Sequence, residues 1–412
     1  MGHLGALMRR SSRLVVTALT IYTSASLAAS AAEVSADRTA KFLAGIAVPA
    51  APADSIAESP WALHSRELDR AWKRTEEQQL PAIASWAPAF LGSSHSEPGT
   101  MFYMFSGPDF LYAHAFFADA RTYILCGTEP VGSIPDLTSI SPEALPGALA
   151  NLRKSLNSVL SWSFFITKDM KSDLIRTQLS GTLPLLYVFV ARTGYTINAV
   201  ELVALDRNGN ITPNGKGETP GVRISMSREP GLDQSGRRLA VESFDSQTLY
   251  YFCTDLSDEG IKSKPGFLRF CQGQGRGVSL LKAASYLMHE PGFGRVRDFL
   301  LQNSEIILQD DSGIPLRFFS DDTWSIRYCG RYAGPINIFT KYFQDDLANA
   351  YSRVVPVPLP FSFGYQWQPN RSDLMIAARV DAQPSPVSND EPPYSGSRTD
   401  EYLGKIEARG LE

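Results

Sequence analysis

After its first 31 residues the chain has no run of lysine and arginine longer than two or three. That removes nucleic acid and anionic membrane surfaces from the partners to expect, because phosphate groups are held by clustered cations. No later stretch approaches the ~20 apolar residues of a spanning helix, so no membrane span is expected once the N-terminal segment is cleaved. The signatures G-x-S-x-G, H-E-x-x-H and C-x-x-C are missing, as are an EF-hand loop and a Walker lysine pattern. The familiar secreted hydrolases lose their local motifs, although a triad assembled from distant positions needs none. Cysteine is scarce, with four in 412 residues and no close pair to serve as zinc ligands.

What is present begins with a leader. Arg9, Arg10 and Arg13 precede the apolar run LVVTALTIYTSASLAA, which ends at the small-x-small site Ala29-Ser30-Ala31. Residues 1–31 therefore read as a secretory signal peptide. A membrane anchor competes for this run, but it is short and diluted with Thr and Ser. The Arg9-Arg10 pair suggests twin-arginine export, yet Ser12 and Arg13 stand where that signal favours apolar residues, so the pair is read as an ordinary basic region. Cleavage removes three arginines and no acids, moving the formal charge from −4 to −7. A periplasmic or secreted location is expected.

Along the rest of the chain, residues 32–58 read as an Ala/Pro-rich spacer, 59–380 as a globular region and 381–412 as a disordered tail of Pro, Ser and acids. Ser59-Pro60 starts a helix carrying Trp61, His64, Leu68 and Trp72 on one face, with a break or kink at Pro81. His64 reads as structural. MFYMF and TYILC are strands around a short helix DFLYAHAFF, and a long helix follows Ser141-Pro142 with leucines at 145, 149, 152, 156 and 160. LPLLYVFVA is a buried helix or strand that periodicity cannot decide. AVELVAL, GVRISM, RRLAVESF and QTLYYFC form an antiparallel section, with Asn208-Gly209 marking a tight reversal. The last third reads as strand FLRFC, loop GQGRG, helix VSLLKAASYLMH, helix GRVRDFLLQ, strand EIILQ, strand WSIRYCGRY and helix TKYFQDDLANAY. The class is α/β: a mixed sheet with helices on both faces plus an antiparallel section, with two related α/β lobes, 59–195 and 196–380, as one arrangement of it. A faint echo of YMFS (103–106) in YYFC (250–253) would fit related halves, though apolar strands resemble one another easily.

In open α/β sheets ligands bind beyond the carboxyl ends of the strands. Ser106 and Asp109 follow the first strand, Glu129 the second, and Asp310 and Asp311 follow EIILQ. If these strands are parallel neighbours, Asp109, Glu129, Asp310 and Asp311 form a catalytic or cation-binding cluster with mutually shifted pKa values, and Ser106 contacts the ligand. Taken singly, Asp109 is a helix cap, Glu129 a solvated acid and Asp310-Asp311 part of a turn. Gly273, Gly275 and Gly277 make a second candidate, a glycine-rich loop before a helix that would take an anion, with a flexible connector as the alternative. His114 and His289 read as packed or surface histidines. No motif names a cofactor or a metal, and nothing fixes the oligomeric state. Cys253 and Cys271 end two strand-like runs and are the pair chosen for a disulfide, against reduced thiols packed as small hydrophobes.

At FSGPDFLYAHAFF, TYILCGTEPVG, ILQDDSGIP and YFQDDLANAY the chain resembles a family of exported bacterial proteins without a known activity. The resemblance covers most of the chain after the leader, implies a place in the bacterial envelope, and assigns no residue a role. Three functions stay open: a strand-end cleft acting on or binding a small polar molecule, a non-catalytic periplasmic solute-binding protein, and a structural or interaction protein of the envelope.

Overall fold

The computed structural model describes residues 36–47, 59–91, 99–162, 179–213, 215–228, 246–366, 368 and 370–380. The leader, most of the expected spacer, RRLAVESF and the tail lie outside them. The strands are β1 (Thr100–Tyr103), β2 (Thr122–Gly127), β3 (Tyr195–Leu205), β4 (Ile211–Pro213), β5 (Thr219–Arg228), β6 (Ser246–Cys253), β7 (Gly277–Leu281), β8 (Ser304–Gln309), β9 (Trp324–Gly330) and β10 (Asp373–Arg379). All ten join one mixed sheet in the order β4-β3-β5-β6-β2-β1-β7-β8-β10-β9. From β6 to β8 every neighbouring pair is parallel. Antiparallel strands extend both ends, β5, β3 and β4 on one side and β10 and β9 on the other.

Ranked by chain position, the five parallel strands run 3-2-1-4-5. The direction of winding therefore reverses between β1 and β7. At such a switch point the crossovers leave on opposite faces and open a crevice at the carboxyl ends of the strands.

The helices follow that division. They are α1 (36–43), α2 (Pro60–Arg74), α3 (Leu80–Leu91), α4 (Phe110–Phe116), α5 (Leu145–Trp162), α6 (Leu183–Arg192), α7 (Asp258–Ser263), α8 (Gly266–Gly273), α9 (Gly294–Asn303) and α10 (Asp345–Ser352). Buried residues of α1 to α6 form one core with Met101, Tyr103, Tyr123, Leu125 and Leu280. Those of α7 to α10 form another with Phe102, Ile124, Cys126 and Ile307 from the opposite face of the strands. Covered on both sides, the central strands are apolar at nearly every position, which is why they stand out in the sequence. Strands from both halves of the chain interleave, β1 and β2 lying between β6 and β7, so segments 59–195 and 196–380 share one sheet.

Local chemistry explains several boundaries. Ser59 Oγ accepts from the Ala62 amide at 3.2 Å and caps α2, with Pro60 in the first turn. A π-helical turn, Thr75–Gln79, separates α2 from α3 just before Pro81. His64 is buried, its Nε2 2.8 Å from the Leu43 carbonyl. Asp206 accepts from the amides of Asn208 and Asn210, and Gly209 at φ +86° completes the reversal from β3 to β4.

Four readings change. Residues 36–43, within the expected spacer, form α1, with Ala40, Leu43 and Ala44 fully buried. The ambiguous LPLLYVFVA is helix α6. FLRFC is not a strand: it lies in α8, whose Phe267, Leu268, Phe270 and Cys271 fall on one helical face. VSLLKAASYLMH is not an α-helix: it opens with β7, buried at every position, continues as a loop and ends in the single 3-10 turn Leu287–His289.

Candidate functional site

Beyond the carboxyl ends of β1, β2, β6 and β7 lies a cavity of about 240 Å³. Each strand ends in residues that line it: Tyr103, Phe105 and Asp109 after β1, Gly127 and Glu129 after β2, Thr254 to Leu256 after β6, and Lys282 after β7.

The centre of the site is an ion pair. Lys282 Nζ lies 2.7 Å from Asp109 Oδ2, and the two residues are 3% and 2% exposed. Tyr103 Oη donates to the same carboxylate oxygen at 2.9 Å, while Oδ1 accepts the Tyr112 amide at 3.2 Å and so caps α4. Lys282 Nζ also sits 3.3 Å from the centroid of the Tyr112 ring, a desolvated cation–π contact. Burial pulls the Lys282 pKa below its ordinary 10.5, with Asp109 and then Asp310 acting in the opposite sense. Burial, and next the Asp109 charge, push the Tyr103 phenol well above its ordinary range.

The loop after β7 is held in a costly conformation. Ala283, Ser285 and Tyr286 have φ of 51°, 54° and 57°, and Phe105 in the facing loop has 60°. L residues avoid this region, and they occupy it where the surroundings over-determine the backbone. Here the Ala283 amide donates to Asp310 Oδ2 at 2.9 Å, the Ala284 amide to Ser312 Oγ at 2.8 Å, and Tyr365 Oη to the Ala283 carbonyl at 3.0 Å. Among the described residues, the one other non-glycine with positive φ is Asn370. Backbone strain is thus concentrated where the cavity opens.

Of the residues expected to act, Asp109 and Glu129 line one cavity, and Ser106 lines it too. Ser106 Oγ accepts the Cys126 amide at 3.2 Å and donates to the Gly107 carbonyl at 2.8 Å, tying the β1 loop to β2. Asp310 and Asp311 do not line the cavity. Asp310 pins the β7 loop and also accepts from the hydroxyl of Ser312. Asp311 accepts from Tyr286 Oη, further along the same loop, at 2.8 Å. Burial pushes both carboxyls up, and Asp373 behaves likewise, pressed further by Asp311 and Asp310. These three acids form a buried layer behind the loop. Among the described residues no group of three His, Cys, Asp or Glu side chains is placed to hold a metal ion.

No family model, curated protein or solved structure matches the chain.

Two expectations fail. Gly273 ends α8, Gly275 turns at φ +77° and Gly277 opens β7, so the glycine loop leads into a strand at the amino-terminal edge of the sheet, away from the cavity. Gly277 is small for packing reasons: a Cβ there would lie 2.1 Å from the Thr100 carbonyl oxygen. None of the four cysteines is in a disulfide. Cys253 ends β6, but Cys271 belongs to a helix face rather than to a paired strand, so the geometry assumed for the bridge does not arise. His114 and His289 are packed, the latter against Tyr286 and Tyr342.

Sequence reasoning missed Lys282 and Tyr103. The available signal for Lys282 was a charged residue directly after the short apolar run GVSLL.

Proposed function

We propose that the protein is an exported enzyme whose strand-end cleft binds a small polar molecule and moves a proton on it with Lys282 and Asp109. The observation that carries this reading is the buried Lys282–Asp109 pair opening on the cavity at the switch point. A buried ion pair is a poor way to stabilise a fold, since desolvation takes back most of its attraction. Burial does bring an amine toward the pH range of catalysis by favouring its neutral form, and the paired carboxylate limits how far the shift goes. Lys282 is then the proton-transfer group and Asp109 sets its charge, while Tyr103 and the Tyr112 amide hold Asp109 in place.

A solute-binding protein of two lobes would hold its ligand between them. This cavity instead lies at one edge of a single sheet, with strained loops on two sides. That favours the enzymatic reading over the binding one.

The test is turnover of a bacterial metabolite extract followed by mass spectrometry, with wild type and Lys282→Met compared. A species consumed by wild type and untouched by the variant is expected. Equal consumption by both, or consumption by neither, would overturn the reading.

A further inference from the structure

The lining of the proposed cleft joins acids to an apolar wall. On the β2 side Glu129 is 4% exposed, yet among the described residues its carboxylate receives a single hydrogen bond, at 3.4 Å from Tyr251 Oη. Buried carboxylates are normally satisfied by several donors. The remaining lone pairs of Glu129 are open to whatever fills the cavity. The backbone below it is bare: a Cβ on Gly127 would stand 2.3 Å from Glu129 Oε2 and 3.1 Å from Gly107 Cα. The two glycines thus let the carboxylate and a ligand approach the strand ends closely.

Topology says what such an acid is for. In the dinucleotide-binding members of sheets with this order, the loop after the first parallel strand meets the ligand and an acid about 20 residues on accepts the ribose 2′-hydroxyl; the present loop, SGPDF, lacks their glycine fingerprint, but the acid has the same place. Glu129 follows the second strand of that order, 129 − 107 = 22 residues after Gly107. A vicinal diol offers two O–H donors at the spacing of two carboxylate oxygens.

Part of the lining is apolar. Phe105, Leu256, Leu287 and Phe293 form it, with the Phe105 and Phe293 rings 5.9 Å apart. Such walls accept the face of a planar base. Charge narrows the choice further. Among the described residues Lys282 is the one cation lining the cavity, and Asp109 already takes its charge, while Glu129 and Asp255 add two more acids. Phosphate would meet repulsion here.

We infer that the cleft takes a phosphate-free nucleoside, with Glu129 holding the ribose diol, the base against the apolar wall and the 5′ substituent toward Lys282 and Asp109. This rests on the reading of the cleft as the functional site and names its ligand class.

The experiment is calorimetric titration of the purified protein with adenosine, guanosine, cytidine and uridine, each compared with its 2′-deoxy form and its 5′-monophosphate. At least one ribonucleoside should bind, and the loss of one charge-assisted hydrogen bond should weaken its 2′-deoxy form roughly tenfold or more. The monophosphate should be weaker too. Glu129→Gln should erase most of the ribo/deoxy discrimination while leaving thermal unfolding close to wild type. Gly127→Ala, which displaces the same carboxylate, should do so independently if the glutamine variant folds poorly. Binding by none of the four, equal affinity for ribo and deoxy forms, or preference for the monophosphate would overturn the inference. Lys282-dependent turnover accompanied by any of those results would sink the nucleoside and leave the proton-transfer reading standing. Diol-dependent binding with no Lys282-dependent turnover would do the reverse.

Discussion

Replacing Asp109 by Asn leaves the Lys282 ammonium buried and facing a neutral amide, with the Tyr112 ring and the charge of Asp310 as its remaining favourable partners. Removing one partner of a buried ion pair costs about 3–5 kcal/mol, because the surviving charge stays desolvated. For a domain of this size that lowers the melting temperature by roughly 5–8 °C. Lys282→Met is milder, since the Asp109 carboxylate keeps two donors, the Tyr103 hydroxyl and the Tyr112 amide. The double variant buries no charge at this point, so its loss should fall short of the sum of the single ones by about 2–3 kcal/mol. Urea unfolding of the four proteins near neutral pH measures this cycle. Alkali adds a second signature. A lysine whose folded pKa lies below the ordinary 10.5 binds fewer protons folded than unfolded, so stability rises with pH across that window. Without its counter-ion Lys282 titrates lower still, and Asp109→Asn should regain stability as pH climbs toward 10.5 more strongly than wild type. A variant within about 1 kcal/mol of wild type, or strict additivity in the cycle, would show that the pair is not the buried ionic contact described above.

The acidic layer gives the opposite sign. Burial, and then Asp310, lift the Asp311 carboxyl from 3.8 to about 7, so the folded state keeps a proton that the unfolded chain releases, and stability should fall as pH rises between those values. The slope is at most about 1.4 kcal/mol per pH unit for one proton, and Asp311→Asn, which still offers Tyr286 an acceptor, should flatten it by up to that amount in urea titrations at about pH 5 and pH 7. An unchanged slope would remove Asp311 from the account. Export rests on Arg9, Arg10, Arg13 and the Ala29-Ser30-Ala31 site, and N-terminal sequencing of periplasmic or secreted material should begin near Ala32. Retention of Met1 would refute cleavage.

The parts of the fold legible in the sequence were those with a local cause. Strands β1, β2, β6 and β8 are apolar runs closed by turn residues, so Ser106, Asp109 and Glu129 could be placed at strand ends before any pairing was known. The hairpin at Asn208-Gly209 and the leucine face of α5 have equally local causes. The order of the sheet has none. Pairing of β1 with β7 joins residues more than 170 positions apart, Thr100 with Gly277 for example, and no short segment of either strand encodes its neighbour.

The error that hid the central residue was one of period. GVSLL and FLRFC are both five-residue apolar runs, and over so short a window a doubly buried strand and a helix face look alike. Exchanging the two put Lys282 in the middle of a helix, where a lysine reads as a solvated side chain. In the structure it is the residue directly after β7, where its ammonium meets a carboxylate delivered by β1. A related point applies to Asp310 and Asp311. Both acids lie past the end of β8, in the turn that follows it, so the polar groups of that turn and of the neighbouring loop decide where they go rather than the alternation of a strand. Asp310 is taken up by the Ala283 amide and Asp311 by the Tyr286 hydroxyl, both in the loop after β7, and neither lines the cavity. What brings the chemistry together is therefore the parallel pairing of β7 with β1, which sets Lys282 against Asp109. The neighbouring pair of β1 with β2 then brings Glu129 to the same cavity.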